Sequence, residues 1–102
     1  YDIGKGVTQD SKEAVKWYQL AAEQGAAGAQ YLLGNMLAEG EGIDKDYVKA
    51  YAWCGTAAAN GMRLATACFE HMATLMTAEQ RVQARELARE YRKKYRINEE
   101  GS

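Results

Sequence analysis

The chain has 102 residues, 13 Lys and Arg against 14 Asp and Glu, and 47% hydrophobic residues. That length suits one small domain with a modest core, and the near-zero net charge gives no general pull toward nucleic acid or an anionic membrane. No apolar run approaches the ~20 residues of a membrane helix, no signal-peptide pattern opens the chain, and abundant alanine without proline favours closely packed helices.

In chain order, Asp10 is the first expected N-cap, with Glu13 three residues on completing a capping box. The helix it opens carries Ala14, Trp17 and Ala21 on one face and stops at Gly25. A second helix is expected from Ala26 to Glu39, where Ala29, Leu32, Leu33, Met36 and Leu37 follow helical spacing. The stretch from Gly40 through Gly42 to Asp46 breaks it, because glycine supplies the left-handed conformations of helix ends. Asp46 is the N-cap of a third helix with Ala50, Trp53, Ala57 and Ala58 on one face, ending at Asn60 and Gly61. A fourth helix runs from about Met62 to Met76, and Thr77 with Gln80 forms a capping box for a last, charged helix through residue 97. Small residues at Ala21, Ala22, Gly34, Ala57 and Ala58 let neighbouring helices approach, and Trp17 and Trp53 are expected to fill the wider gaps.

The chain also repeats itself. Gly4 and Gly6 recur as Gly40 and Gly42, an offset of 36 residues. The same offset maps Asp10 to Asp46, Ala14 to Ala50, Trp17 to Trp53, Ala21 to Ala57 and Ala22 to Ala58. It further maps Gly25 to Gly61, Ala29 to Ala65 and Met36 to Met72. A fixed period of this length marks stacked helical hairpins, none of which can bury its apolar face alone.

The pattern Ala29-x-x-x-Leu33-Gly34-x-x-Leu37-x-x-Gly40-x-Gly42-Ile43-x-x-Asp46-x-x-Lys49-Ala50-x-x-Trp53-x-x-x-Ala57-Ala58-x-x-Gly61 resembles the Sel-one-like repeat (SLR) family, a relative of the tetratricopeptide repeats. The resemblance implies an all-α fold, a right-handed α/α superhelical solenoid of helix–turn–helix repeats with a long C-terminal capping helix. One domain over 1–102 is expected: a truncated repeat at 1–25, with Tyr1–Ile3 as the tail of its first helix, and a complete repeat at 26–61. A degenerate repeat helix at 62–76, a cap helix at 77–97 and a disordered tail at 98–102 follow. The degenerate unit puts Phe69 where Leu33 stood and Glu70 where Gly34 stood, which suits an array end with a polar outer face.

The family is commonest in bacteria and acts through adaptors and scaffolds, without shared catalytic chemistry. The resemblance therefore implies a soluble, non-enzymatic module, cytoplasmic or exported, whose partner is another protein or peptide rather than nucleic acid or membrane. First helices line the concave face, placing Gly28, Tyr31, Asn35, Ala38 and Glu39 there, with Leu64, Ala67, His71 and Thr74 one repeat later. Tyr31, Asn35, Glu39, His71 and Thr74 are the expected partner-binding residues. The Ala14–Trp17–Ala21 face, lacking a first helix, is the expected route to self-association.

Other chemistry finds little support. His71 is the single histidine, and Cys68 lies three residues before it. Cys68 occupies the position of Leu32, expected to be buried, where thiols are inert. Cys54 and Cys68 lie 14 residues apart around Gly61, which places them at similar height in a hairpin. A disulfide is conceivable, but reduced, packed thiols are the expectation, since cysteine-rich relatives bridge at a shorter spacing. Zinc-ligand spacing is missing, and the Asp44–Asp46 start of an EF-hand-like loop fails at Val48. The Gly-x-Gly turns lack a phosphate-loop context, so no cofactor or metal is expected. Residues 77–102 carry a net charge of +2 against −3 for 1–76. Arg81, Arg85 and Arg89 recur near one face there as a candidate contact for an acidic partner.

Overall fold

The computed structural model describes residues 7–95, with side chains from residue 12 onward. Five helices make up the described residues: α1 (Val7–Glu23), α2 (Ala27–Glu39), α3 (Tyr47–Ala59), α4 (Leu64–Thr74) and α5 (Ala78–Lys94). No strand occurs among them. They build an α/α solenoid in which α1 packs on α2, α2 on α3 and α3 on α4, while α5 returns along α3.

Local chemistry sets most boundaries. Asp46 Oδ1 accepts the Lys49 N–H at 3.0 Å and opens α3. Thr77 and Gln80 form the full reciprocal box at the start of α5, with bonds of 3.1 and 3.0 Å. Gly40 ends α2 at φ 72°, returning its N–H to the Met36 carbonyl at 2.8 Å. Gly25 and Gly61, one repeat apart, both take positive φ, 94° and 105°.

The structure departs from the sequence-based expectations in several places. Helix α1 already runs from Val7, so Asp10 lies inside its first turn instead of capping it; an acid in that turn suits the helix dipole without being a cap. The Asp10 side chain, Gly4, Gly6, Tyr1–Ile3 and residues 96–102 lie outside the described residues. Helix α4 is shorter than expected because both ends wind into i→i−3 turns, Ala65 N–H to Met62 O and Leu75 N–H to Met72 O, each at 3.0 Å. Trp17 is 68% exposed, whereas its repeat counterpart Trp53 is 5% exposed. The rings of Tyr91 and Tyr95 on α5 and just beyond it stand 4.6 and 5.1 Å from Trp53, and nothing among the described residues plays that part for Trp17. Leu32 is likewise on the surface, because α2 buries only the stripe Gln30, Leu33, Gly34 and Leu37.

Helix α3 is the centre of the stack. Ala50 and the unbroken run Ala52, Trp53, Cys54, Gly55, Thr56 and Ala57 are buried, as suits a helix enclosed on several sides. The Thr56 hydroxyl finds its partner within the helix, donating to the Ala52 carbonyl at 2.7 Å. Small residues set the spacing to the neighbours. A methyl group placed on Gly34 would stand 2.5 Å from Cys54 Sγ and 3.2 Å from the Ala50 carbonyl oxygen, so α2 and α3 cross as closely as backbones allow. On the other side, Gly55 faces the buried Ala88 of α5. Burial beside Trp53 raises the pKa of the Tyr91 hydroxyl above its ordinary 10.0, and the neighbouring Tyr95 adds to the shift.

One polar side chain lies at the meeting point of the helix ends. Gln30 of α2 is fully buried. Its Nε2 donates to the Ala22 carbonyl of α1 and to the Tyr95 carbonyl after α5, both at 2.8 Å. Its Oε1 accepts from Asn60 Nδ2, at the end of α3, at 3.0 Å.

Gly34→Ala lowers the urea midpoint, because an overpacking cost of about 1–3 kcal/mol exceeds the helix-propensity gain of about 1 kcal/mol. Gly28→Ala on the same helix raises it, since the nearest atom to the new methyl is Met62 Cε at 3.9 Å; shifts of the same sign in both variants would contradict the close crossing. Gln30→Leu keeps the volume but removes the amide, and costs about 1–3 kcal/mol in the same measurement. An unchanged midpoint would show that the amide bonds contribute nothing net.

Candidate functional site

Helices α2 and α4, the first helices of successive repeats, form the walls of a groove of about 520 Å³. From α2 come Tyr31, Asn35, Ala38 and Glu39, which recur at helical spacing and so share one face. From α4 and its end come Leu64, Ala67, Cys68, His71, Met72 and Leu75, and Tyr47 enters from the first turn of α3. Met72 is buried at 5% exposure, whereas Leu64 and Leu75, at the two ends of the α4 wall, are 65% and 45% exposed. The lining thus combines apolar anchors with an amide, an imidazole and two phenols, and Glu39 is its one formally charged side chain. Lys45 Nζ lies 5.8 Å from the centre of the Tyr47 ring, within cation–π range.

Four of the five residues expected to bind a partner, Tyr31, Asn35, Glu39 and His71, line this groove together. Thr74 does not; it is exposed, and its hydroxyl donates to the His71 carbonyl of its own helix at 2.7 Å. Gly28 is also absent from the lining. Sequence reasoning missed Tyr47, Cys68, Met72 and Leu75. Leu75 was within its reach, because it follows His71 by four residues on the same helical face. Tyr47 was not, since only the crossing of α3 with α2 brings it there.

The cysteines differ from expectation. Cys54 and Cys68 form a disulfide across the α3–α4 hairpin, with Cα atoms 6.2 Å apart, and are not reduced thiols. The hairpin holds the two helices at bridging distance despite the wide sequence spacing. The expected burial of Cys68 is also corrected: it is partly exposed, and Leu32 one repeat earlier is exposed too, while Cys54 is fully buried. Cys68 Sγ lies 3.4 Å from Asn35 Oδ1 across the groove, and a bridged sulfur carries no proton to donate. Nor is it a free thiolate for His71 to activate.

On α5, Arg81 Nη1 donates to the Ala73 and Met76 carbonyls at 3.3 and 3.0 Å. It thereby pairs the Met76 carbonyl just past α4 and adds to the Met76 N–H already on the Ala73 carbonyl at 3.4 Å. Arg85 and Arg89 are exposed. Among the described residues no group of three His, Cys, Asp or Glu could hold a metal ion, and no helix is long and apolar enough to cross a membrane.

A family model described as Sel1 repeat matches residues 1–25 and 27–62. No curated protein matches the chain. Among solved structures, the crystal structure of a protective antigen present in uropathogenic Escherichia coli strains, displaying an SLR fold, is similar over 90% of this chain. The sequence identity is 42% and the TM-score 0.82, and the chain covers 20% of that protein's length.

Proposed function

The chain belongs to the Sel1 repeat family, and from that premise we propose that it is an interaction module seating a segment of a partner protein between α2 and α4. The family is one of repeat scaffolds that mediate protein–protein interaction. The observation that carries the reading is the convergence of Tyr31, Asn35, Glu39 and His71 with the exposed Leu64 and Leu75 in one groove. Leu64 and Leu75 are 11 residues apart, a span of about 16 Å that suits about three helical turns or five extended residues. Two leucines and two tyrosines offer apolar contact, and Asn35, Glu39 and His71 fix orientation by hydrogen bonding. The scaffold is already ordered by the buried Gln30 and the α3–α4 bridge, so binding costs little conformational entropy on this side.

Selection of displayed peptides of about this length, followed by titration against variants, tests the groove. Tyr31→Ala and Leu75→Arg each weaken a selected peptide about tenfold or more, as loss of a well-packed contact does. Arg85→Ala on α5 leaves binding unchanged. Peptides indifferent to both groove variants would sink the reading.

A second reading, self-assembly, has its own observation. Trp17 and Leu20 lie three residues apart on α1 and are 68% and 55% exposed, an apolar patch of the kind that marks association surfaces. Sedimentation over a range of concentrations gives a rising mass for the native chain, and Trp17→Glu abolishes the rise. A strict monomer throughout would exclude this use of α1.

A further inference from the structure

The two sulfurs of the bridge stand in different surroundings. Cys54 Sγ is buried in the close crossing of α3 with α2, against Gly34. Cys68 is partly exposed, lines the groove and faces Asn35 Oδ1. Helix α4 is otherwise the least anchored of the groove walls. It buries only Ala65 and Met72 and rests chiefly on α3, whereas α2 buries Gln30, Leu33, Gly34 and Leu37 and packs on both α1 and α3.

We propose that Cys68 is the thiol-exchange site of the groove, and that the bridge is a redox staple holding α4 in place. A thiolate of a small thiol or dithiol reductant enters the groove and attacks Cys68 Sγ. The Cys54–Cys68 bond breaks, a bond forms between the reductant sulfur and Cys68, and Cys54 leaves as a thiolate that takes a proton from solvent. A second reductant thiolate attacks the reductant sulfur of this mixed disulfide. The oxidised reductant departs as its own disulfide, and Cys68 is released as a thiolate that is then protonated. The net change is two electrons and two protons to the protein. In the reduced state the Cys68 thiol has an acceptor waiting in Asn35 Oδ1, so a hydrogen bond replaces the covalent tie. Attack at Cys54 is blocked by the packed α2–α3 crossing.

A segment seated between α2 and α4 would cover Cys68 and shield the bridge. By linkage, a segment that prefers the stapled groove binds less tightly once the bridge is reduced. This consequence alone rests on the partner reading; the exchange chemistry does not.

The test uses the native chain without any partner. After brief exposure to glutathione and acid quenching, peptide mapping by mass spectrometry locates the mixed disulfide. Glutathione on Cys68 in about tenfold or greater excess over Cys54 is expected from the difference in access; equal labelling, or excess on Cys54, overturns the assignment. Hydrogen exchange is then compared before and after full reduction with dithiothreitol. Amides of 64–74 exchange about tenfold or more faster in the reduced chain, while those of α2 and α5 hold their rates. Unchanged exchange in α4, or acceleration shared by all helices, overturns the staple. Peptide binding plays no part in either readout, so a failure here is distinct from a failure of the groove as a binding surface.

Discussion

The side-chain amide of Gln30 joins the ends of three other helices at one buried point. Each of its two donated bonds reaches a main-chain carbonyl, Ala22 O near the end of α1 and Tyr95 O just after α5, and its oxygen accepts a hydrogen bond from Asn60 beyond α3. Asn60 Nδ2 also reaches the Tyr95 carbonyl, at 3.2 Å. Helix C-termini carry carbonyls without partners inside the helix, and burying them unpaired is costly. The Ala22 carbonyl also accepts the Gly25 N–H at 3.1 Å, so Gln30 does not rescue an orphan there but adds a tie between the ends of α1, α3 and α5 that their own turns do not supply. A buried network of this kind resists displacement of any one member.

Around that point the stack is organised by α3, which α2, α4 and α5 enclose. Its residues facing close neighbours are small, and its one large buried ring, Trp53, fills the space beneath Tyr91 and Tyr95. The contrast with α1 follows from neighbours rather than from composition. Ala14, Trp17 and Ala21 repeat the face of Ala50, Trp53 and Ala57, but the described residues supply no counterpart of α5 for α1. The same side chain is core in one repeat and surface in the other. In a solenoid each unit contacts only its neighbours, so the fate of a repeated position depends on its place in the array.

The groove inherits its order from this arrangement. Its α2 wall is held by the Gly34 crossing and the Gln30 network, and its α4 wall by contact with α3 and the disulfide. Arg81 adds hydrogen bonds to the carbonyls at the end of α4, which turns one member of the basic stripe on α5 into a structural link. Its polar side chains are spread along both walls, Asn35 and Glu39 on α2 and His71 on α4.

What could be read from the sequence was whatever depends on near neighbours along the chain. The 36-residue offset announced stacked hairpins, Asp46, Thr77 and Gln80 announced helix starts, and Gly40 and Gly61 announced helix ends. The repeat geometry implied by the family resemblance also placed Tyr31, Asn35, Glu39 and His71 on the concave side of two first helices, and these four line one groove. The tertiary structure decided the rest: the burial of Gln30, the exposure of Trp17, the engagement of Arg81 and the bridge between Cys54 and Cys68. Each of these depends on which atoms a distant segment brings within a few ångströms, and residue identity at a repeat position carries no information about that.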